Sequence, residues 1–231
     1  MRRISIKNWF GLSIGFFILL VSSACGMIDQ NNNATDPEIE EDDIRIAAVG
    51  DSITAEYTPQ SGYPAILNEL LGEGYVVLNF GESNYAAQAS SDFPYETTDS
   101  YEESLELNPD IVIMMLGTND TKANNWNGPE RFKEEYTDLL EDYLELESVS
   151  RFILASPPTV FLENIFEGSI DPENIEPIRD VVEEVAEEYG LEFVDMTEQT
   201  AAHPEWFFDG VHPTAEGAEQ LAQIFYEKIE E

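Results

Sequence analysis

Four short segments of this sequence combine residue types that can carry out acyl transfer. A serine follows an apolar run in Gly50-Asp51-Ser52-Ile53-Thr54, and Asp209-Gly210-Val211-His212-Pro213 holds a histidine three residues after a carboxylate. Between them lie Asn79-Phe80-Gly81 and Gly117-Thr118-Asn119-Asp120. Acyl transfer needs an activated hydroxyl, a base, a group that orients the base and donors for the developing oxyanion. The ordered set can supply all of them.

The choice of base is narrow because the chain has only two histidines, His203 and His212. Imidazole is the side chain best suited to proton transfer near neutral pH. Asp209 precedes His212 by three residues, within reach inside one turn, whereas His203 has no carboxylate at that distance. We therefore predict Ser52 as nucleophile, His212 as general base, Asp209 as the residue that orients it, and a structural role for His203.

Each remaining candidate has a purely structural alternative. Asp51 or Ser52 could simply cap a helix, and Gly81 could be a turn glycine whose backbone N–H does not face an oxyanion. Asn119 is also an ordinary turn former after a strand, and we assign Asp120 to loop structure. Three loop aromatics near the predicted site could stack on a sugar or could merely pack. They are Tyr57, Tyr85 and Trp126.

The pattern of apolar segments predicts a three-layer α/β fold with one five-stranded, doubly wound parallel sheet. The predicted strands are Ile44–Val49, Tyr75–Phe80, Ile111–Leu116, Phe152–Ala155 and Leu191–Met196. The predicted helices are Tyr63–Leu71, Thr97–Leu107, Pro129–Leu146, Asn174–Tyr189 and Ala215–Ile229. Ser52 should open a further short helix. Ligands bind beyond the carboxyl ends of the strands in such a fold, and three of the four segments follow a predicted strand.

These segments resemble the SGNH hydrolase superfamily, also called GDSL esterases and lipases, over roughly residues 44 to 230. The resemblance implies a flavodoxin-like sheet, catalytic Ser52, Asp209 and His212, and an oxyanion hole of the Ser52 N–H, the Gly81 N–H and the Asn119 side-chain amide. Asn125-Trp126, Ser156-Pro157-Pro158 and Ala202-His203-Pro204-Glu205 make the chain similar to the sialate O-acetylesterase-like, carbohydrate acetyl-esterase branch. Trp126 and Tyr85 would then contact substrate.

The N-terminus has the features of an export signal, predicted for residues 1–24. Arg2, Arg3 and Lys7 precede a short apolar stretch, and the small residues 22–24 lead directly to Cys25, the only cysteine. We predict lipidation of Cys25 and anchoring to the cell membrane, with the protein facing outward or into the periplasm. The alternative is a plain secreted protein. Residues 25–43 would form an acidic flexible tether, and 44–231 a single domain.

The formal net charge is −38, from 48 acidic and 10 basic residues. Because the acid is spread along the predicted helices while 42% of the chain is hydrophobic, we expect a folded protein adapted to high salt. Nucleic acid is a poor partner for such a surface. The sequence contains no zinc-type cysteine and histidine cluster, no P-loop and no dinucleotide motif, so we expect no metal and no cofactor.

Three functions remain open at this stage. The favoured one is a carboxylic ester hydrolase that removes acetyl or short acyl groups from carbohydrate. The second has the same chemistry on lipid or thioester substrates, as in lysophospholipase-like relatives. The third is a noncatalytic carbohydrate-binding lipoprotein, which would not need Ser52, His212 and Asp209 together. The sequence leaves the oligomeric state open.

Overall fold

Five apolar segments pair into one fully parallel sheet, which confirms the predicted architecture. The strands are β1 (Ile44–Gly50), β2 (Tyr75–Gly81), β3 (Ile111–Met115), β4 (Arg151–Ala155) and β5 (Glu192–Val194). Their order across the sheet is β2-β1-β3-β4-β5, with every neighbouring pair parallel. The chain reverses its direction of winding beside β1, so the carboxyl ends of β1 and β3 flank the switch point where ligands bind in such sheets.

The computed structural model describes residues 39–55, 62–161, 166 and 169–231. They belong to one unit, Asp36–Glu231. The predicted signal segment, Cys25, most of the predicted tether and Tyr57 lie outside the described residues. Among the helices that are described, none is long and apolar enough to cross a bilayer.

In the described part of the chain, six helices connect or follow the strands, and most end close to the predicted limits. They are α1 (Tyr63–Leu71), α2 (Asp99–Glu106), α3 (Pro129–Leu144), α4 (Ile175–Tyr189), α5 (Met196–Thr200) and α6 (Ala215–Glu230). Helix α2 starts later than predicted because the Thr98 side chain accepts the Tyr101 N–H and caps it. Helix α5 was not predicted. Its cap, Asp195, accepts the Glu198 N–H at 2.9 Å, which ends β5 at Val194.

The strand residues alternate between two hydrophobic cores, one on each face of the sheet. On β1, Ile46 and Ala48 enter the core that also holds Leu221 and Phe225 of α6, whereas Ala47 and Val49 enter the core shared with α3 and α4. Successive side chains of a strand point to opposite faces, so a strand buried on both faces reads as a continuous apolar run. Burying each large side chain of this kind contributes about 1.5–3 kcal/mol.

The surface carries far more acid than its cations can pair. Arg179 alone contacts three carboxylates, those of Asp195 at 2.5 Å, Glu183 at 2.6 Å and Asp180 at 3.1 Å. With 48 acidic residues against 10 basic ones, most carboxylates have no basic side chain to pair with. Exposed like charges repel and oppose the compact state unless salt screens them.

We predict that the melting temperature rises with sodium chloride, because the Debye length falls from about 10 Å at 0.1 M to about 3 Å at 1 M. A triple variant supplies the control: Glu69→Gln, Glu103→Gln and Glu106→Gln remove exposed carboxylates that form no ion pair among the described residues. It should melt higher at low salt and respond less to salt. A flat melting curve for the wild type, or an unchanged salt response in the variant, contradicts the repulsion argument.

Candidate active site

Ser52, His212 and Asp209 form a continuous hydrogen-bonded relay. The Ser52 Oγ lies 2.8 Å from His212 Nε2, and His212 Nδ1 lies 2.7 Å from Asp209 Oδ2. All three residues are buried, at 5–9% exposure. Because a carboxylate can only accept, Nδ1 carries the proton donated to Asp209, which leaves Nε2 to accept the Ser52 hydroxyl proton.

One carboxylate both builds the loop before α6 and orients the imidazole. Asp209 Oδ1 accepts the N–H groups of Val211 at 2.9 Å and His212 at 2.6 Å, while Oδ2 binds the ring. Burial opposes ionisation of Asp209, but these hydrogen bonds outweigh it and hold the pKa below its ordinary value. Asp209 therefore stays a carboxylate in the range where imidazole titrates.

Ser52 sits in a tight turn directly after β1. The Asp51 carbonyl accepts the N–H groups of Thr54 and Ala55, and Asp51 Oδ1 accepts the Ile53 N–H at 2.9 Å. The prediction that Ser52 opens a short helix is wrong for the described residues 51–55, which form only this turn. The side-chain bond from Asp51 supports a turn, as short polar side chains commonly do.

A cavity of about 170 Å³ adjoins the relay. It is bounded by residues from the ends of β1, β2 and β3 and from the loops before α4 and α6. The lining residues are Ser52, Ser83, Asn84, Thr118, Asn119, Lys122, Phe166, Ser169, Ile170, Val211 and His212. The His212 ring also contacts the Phe166 ring edge-on at 5.5 Å and lies over the half-exposed Phe208 ring at 6.1 Å.

The structure does not place Gly81 as an oxyanion donor. Its N–H donates to Asn79 Oδ1 at 2.9 Å, and the residue does not line the cavity. Gly81 instead allows close packing, since a Cβ there would lie 2.3 Å from the Ala55 nitrogen in the Ser52 turn. The prediction for Gly81 is therefore corrected: this position needs glycine for space, and its N–H is already bonded.

Asn84 is a residue of the loop after β2 that the sequence analysis did not single out. It lines the cavity, and its φ of +79° puts it in the left-handed region, which Asn tolerates better than most residues. Within the described residues, neither its backbone N–H nor that of Ser52 has an acceptor. The adjacent Ser83-Asn84 pair is a turn signal, but no rule of spacing singled it out from the nearby glycine.

Asn119 lies where the sequence analysis placed it, on the cavity wall after β3. Its Nδ2 donates one hydrogen to the Tyr85 carbonyl at 2.9 Å. A side-chain amide has two hydrogens, so the second is available to a ligand in the cavity. The bond to Tyr85 fixes the direction in which that second hydrogen points.

The two predicted substrate-binding aromatics do not line the cavity, and their contact with substrate stays a prediction. Trp126 is partly buried and packs 6.3 Å from the Phe132 ring of α3. Tyr85 is partly buried in the same core, with its ring edge-on to Phe93 at 5.8 Å. Both rings face the core because their loops pack down against α3 and the sheet.

His203 lies apart from the relay and does not line the cavity. Its ring stacks on Trp206 with centroids 3.8 Å apart, and its Nδ1 lies 3.0 Å from Glu205 Oε1. These contacts are within its own loop. They agree with a structural role, and they leave His212 as the histidine that contacts Ser52.

The segment after β3 holds the loop after β2 at several successive points. Asp120 accepts the N–H groups of Ala87 at 3.0 Å and Gln88 at 2.9 Å, while Asn125 Oδ1 accepts the Asp92 N–H. Burial raises the pKa of Asp120 to about 7, although both backbone bonds act in the opposite direction. Asp120 therefore serves loop structure, as the geometry of its two bonds shows.

Lys122 is a cavity residue that the sequence analysis missed. Its Nζ donates to Asn84 Oδ1 at 2.6 Å and to the Asn84 carbonyl at 3.2 Å. Burial lowers the pKa of this ammonium, and the carboxylates of Asp92, Asp120 and Asp51 act in the opposite direction. A lysine two residues after the Asn119-Asp120 pair, in so acidic a chain, was the available signal. Among the described residues, no His, Cys, Asp and Glu side chains group in a way that could hold a metal ion.

A 2-1-3-4-5 parallel sheet with a serine–histidine–aspartate relay at its carboxyl edge defines the SGNH-hydrolase class of α/β proteins. Residues 48–220 match the GDSL-like Lipase/Acylhydrolase family, and the chain belongs to that family.

Two curated esterases match most of this chain. An acetylxylan esterase of Xylanibacter ruminicola is 32% identical, over 81% of this chain and 43% of that one. A multidomain esterase of Ruminococcus flavefaciens is 24% identical, over 81% of this chain and 28% of that one. The chain therefore spans less than half the length of either relative.

Solved structures share the fold. An aryl esterase of M. smegmatis superposes with a TM-score of 0.65 at 21% identity, covering 80% of this chain and 98% of that one. A carbohydrate acetylesterase of Sinorhizobium meliloti gives 0.63 at 19% identity, covering 80% and 98%. Both agree with the three-layer architecture derived above.

The buried Asp120 predicts a specific pH dependence of stability. Its pKa is about 7 in the folded state, against 3.8 ordinarily, so between these values the folded chain keeps a proton that the unfolded chain has released. Its contribution to the free energy of unfolding is therefore greatest below pH 4 and is lost as the pH rises to about 7.

Asp120→Asn removes this titration. The wild-type free energy of unfolding, minus that of the variant, should fall between pH 4 and pH 7 by on the order of a few kcal/mol. Urea denaturation at several pH values measures it. Asp138→Asn, on the exposed side of α3, controls for loss of one negative charge. A difference that does not change with pH would show that Asp120 is not the buried titrating group.

Proposed function

We propose that this protein hydrolyses esters of acetyl or other short acyl groups on carbohydrate. The observation that carries the proposal is the relay from Ser52 Oγ through the His212 ring to Asp209, at 2.8 and 2.7 Å. A binding protein has no need of a serine whose proton is directed at a buried, carboxylate-oriented imidazole. The cavity beside Ser52 gives the ester a place to bind.

In the proposed mechanism Ser52 Oγ attacks the ester carbonyl carbon while His212 Nε2 takes the hydroxyl proton. Asp209 stabilises the imidazolium that forms. Collapse of the tetrahedral intermediate breaks the bond to the sugar oxygen, which leaves with the proton from Nε2. Water, deprotonated by His212, then attacks the acyl-serine and releases the acid and free Ser52.

The oxyanion of both intermediates would be bound by three donors that have hydrogens to spare. They are the backbone N–H groups of Ser52 and Asn84 and the second hydrogen on Asn119 Nδ2. All three residues line the cavity. Removing one such donor typically lowers kcat by about 10²–10³-fold.

The substrate class is supported by cavity size and by relatives. Pockets that hold drug-sized ligands are typically about 300–1,000 Å³, so a cavity of about 170 Å³ favours a short acyl group over a long chain. One curated relative is an acetylxylan esterase and one structural neighbour a carbohydrate acetylesterase. Comparing acetylated xylo-oligosaccharides with lysophospholipids and acyl thioesters tests this choice directly.

We predict that Ser52→Ala and His212→Ala each abolish ester hydrolysis and to a similar extent, because residues of one mechanism act as a unit. The expected loss in kcat is on the order of 10⁶-fold for the nucleophile. Hydrolysis of p-nitrophenyl acetate by the purified proteins measures it, with circular dichroism to verify folding.

His203→Ala is the matched control, since it removes the only other histidine and lies outside the cavity. It should keep wild-type kcat. Loss of activity in folded His203→Ala, with activity retained in His212→Ala, would reverse the assignment. A wild type without activity on any ester in the panel would remove the proposed function itself.

We also propose that the protein is exported and held at a membrane surface by lipid on Cys25. Cys25 is the only cysteine and follows the small residues expected at a signal-peptidase site. One acyl chain binds a membrane only marginally, whereas several chains anchor stably. The polar residues up to 43 would let the domain reach polymeric substrate, and the acidic surface would suit a salty exterior.

Cys25→Ser should move the protein from the membrane fraction to the soluble or uncleaved pool, because it removes the thiol that lipid would occupy. Detergent partitioning and the mass of the mature N-terminal peptide are the measurements. Ser91→Ala, far along the chain in the described domain, is a neutral comparison for expression. An unmodified Cys25 in a wild type that is already soluble rejects the anchor and leaves the proposed chemistry unaffected.

A further inference from the structure

Lys122 is an unusual residue for this chain because it is a buried cation beside the relay. Only 10 of the 231 residues are basic, and this side chain is 7% exposed. A buried charge is costly unless it is paired and hydrogen-bonded. Its retention in the cavity wall therefore calls for a specific set of partners.

Those partners belong to the loop after β2. Lys122 Nζ donates to both oxygens of Asn84, at 2.6 Å to Oδ1 and 3.2 Å to the carbonyl. Asp92 Oδ1 lies 3.8 Å away, and the Phe93 ring lies 5.9 Å from Nζ. Two of the three ammonium hydrogens are thus directed to the loop after β2.

Asn84 needs such a restraint. Its φ of +79° lies in the left-handed region, where a side chain is disfavoured and glycine is not. Because one ammonium binds both the side-chain oxygen and the carbonyl of the same residue, it restrains the side chain relative to the backbone. The direction of the Asn84 N–H follows from that backbone conformation.

We propose that Lys122 is a positioning residue, which holds Asn84 in its left-handed conformation so that the Asn84 N–H points at the oxyanion. This rests on the proposed function, since it assigns a role within that reaction. The Ala87 and Gln88 N–H groups donate to the Asp120 carboxylate, which holds a further part of the same loop. Lys122 thereby adds an attachment at Asn84, which lines the cavity together with Ser52.

Two variants, Lys122→Met and Lys122→Gln, distinguish the proposed positioning role from a general electrostatic role of Lys122. Methionine fills the space without a donor, whereas glutamine is uncharged but can donate to Asn84. We expect Lys122→Met to lower kcat by roughly 10- to 100-fold with KM changed little, because a misplaced donor weakens binding of the transition state. Lys122→Gln should recover part of that loss. Lys133→Met, which removes a lysine bound to Glu184 and Glu188, is the matched control.

A double-mutant cycle tests the route through Asn84. In the Asn84→Gly background the left-handed conformation needs no restraint, so Lys122→Met should cost several-fold less than in the Asn84 background. Equal losses in the two backgrounds, equal losses for Lys122→Met and Lys122→Gln, or no loss at all would each overturn the positioning role. Should Lys122→Met fail to fold, Lys122→Gln is taken through both backgrounds instead.

A measurement independent of activity separates this proposal from the proposed function. The ¹H–¹⁵N resonance of the Asn84 amide should shift in Lys122→Met and remain in place in Lys133→Met. Wild-type ester hydrolysis that depends on Ser52, together with an unmoved Asn84 amide, rejects only the positioning role. If the Asn84 amide resonance shifts but the wild-type protein has no esterase activity, the proposed function is rejected. The contact between Lys122 and Asn84 that orders the loop then still stands.

Discussion

Parallel pairing of β1 with both β2 and β3 is the constraint on which the site depends. Gly50 at the end of β1 pairs with Gly81 on one side and with Met115 on the other, so three strands end level with one another. The Ser52 turn therefore stands between the two loops that follow β2 and β3. The close approach requires glycine at the strand ends: a Cβ on Gly50 would lie 2.1 Å from Thr54 Oγ1.

The histidine reaches this edge by a different route, through a short loop fixed at both ends. The Phe208 N–H donates to the His212 carbonyl, and Thr214 caps α6 by accepting the Gly217 N–H. A Cβ on Gly217 would lie 2.2 Å from the Trp206 carbonyl oxygen, so the first turn of α6 packs directly on the loop. The single carboxylate of Asp209 both closes the loop and orients the imidazole ring. The stability of this loop is therefore linked to the tautomer of His212.

The fold and the pairing of Asp209 with His212 were predictable from sequence because each rests on a local regularity. A strand buried on both faces gives an apolar run, and Asp209 and His212 are three residues apart in one turn. The donor on the loop after β2 was not predictable in the same way, since glycine at 81 and asparagine at 84 are both turn residues. Side-chain contacts decide between them: the Asn79 side chain accepts the Gly81 N–H two residues away, and Lys122, 38 residues further along the chain, holds Asn84. Trp126 illustrates the same limit, because whether a loop aromatic faces the core or the cavity depends on packing against α3.

Burial divides the electrostatics of this protein into two parts that respond differently to salt. The carboxylates on the surface interact through solvent, where a Debye length of about 10 Å or less screens them. The residues of the relay, Asp120 and Lys122 each make short hydrogen bonds with their own partners inside the protein. Screening is weak in this buried setting, and the loss of a partner leaves a desolvated charge. Salt therefore acts on the stability of the whole domain through its surface, while the geometry around Ser52 is held by short hydrogen bonds that salt screens only weakly. The number of acidic residues on the surface can therefore change without a matching change in the buried site, because no hydrogen bond of the relay involves a surface carboxylate.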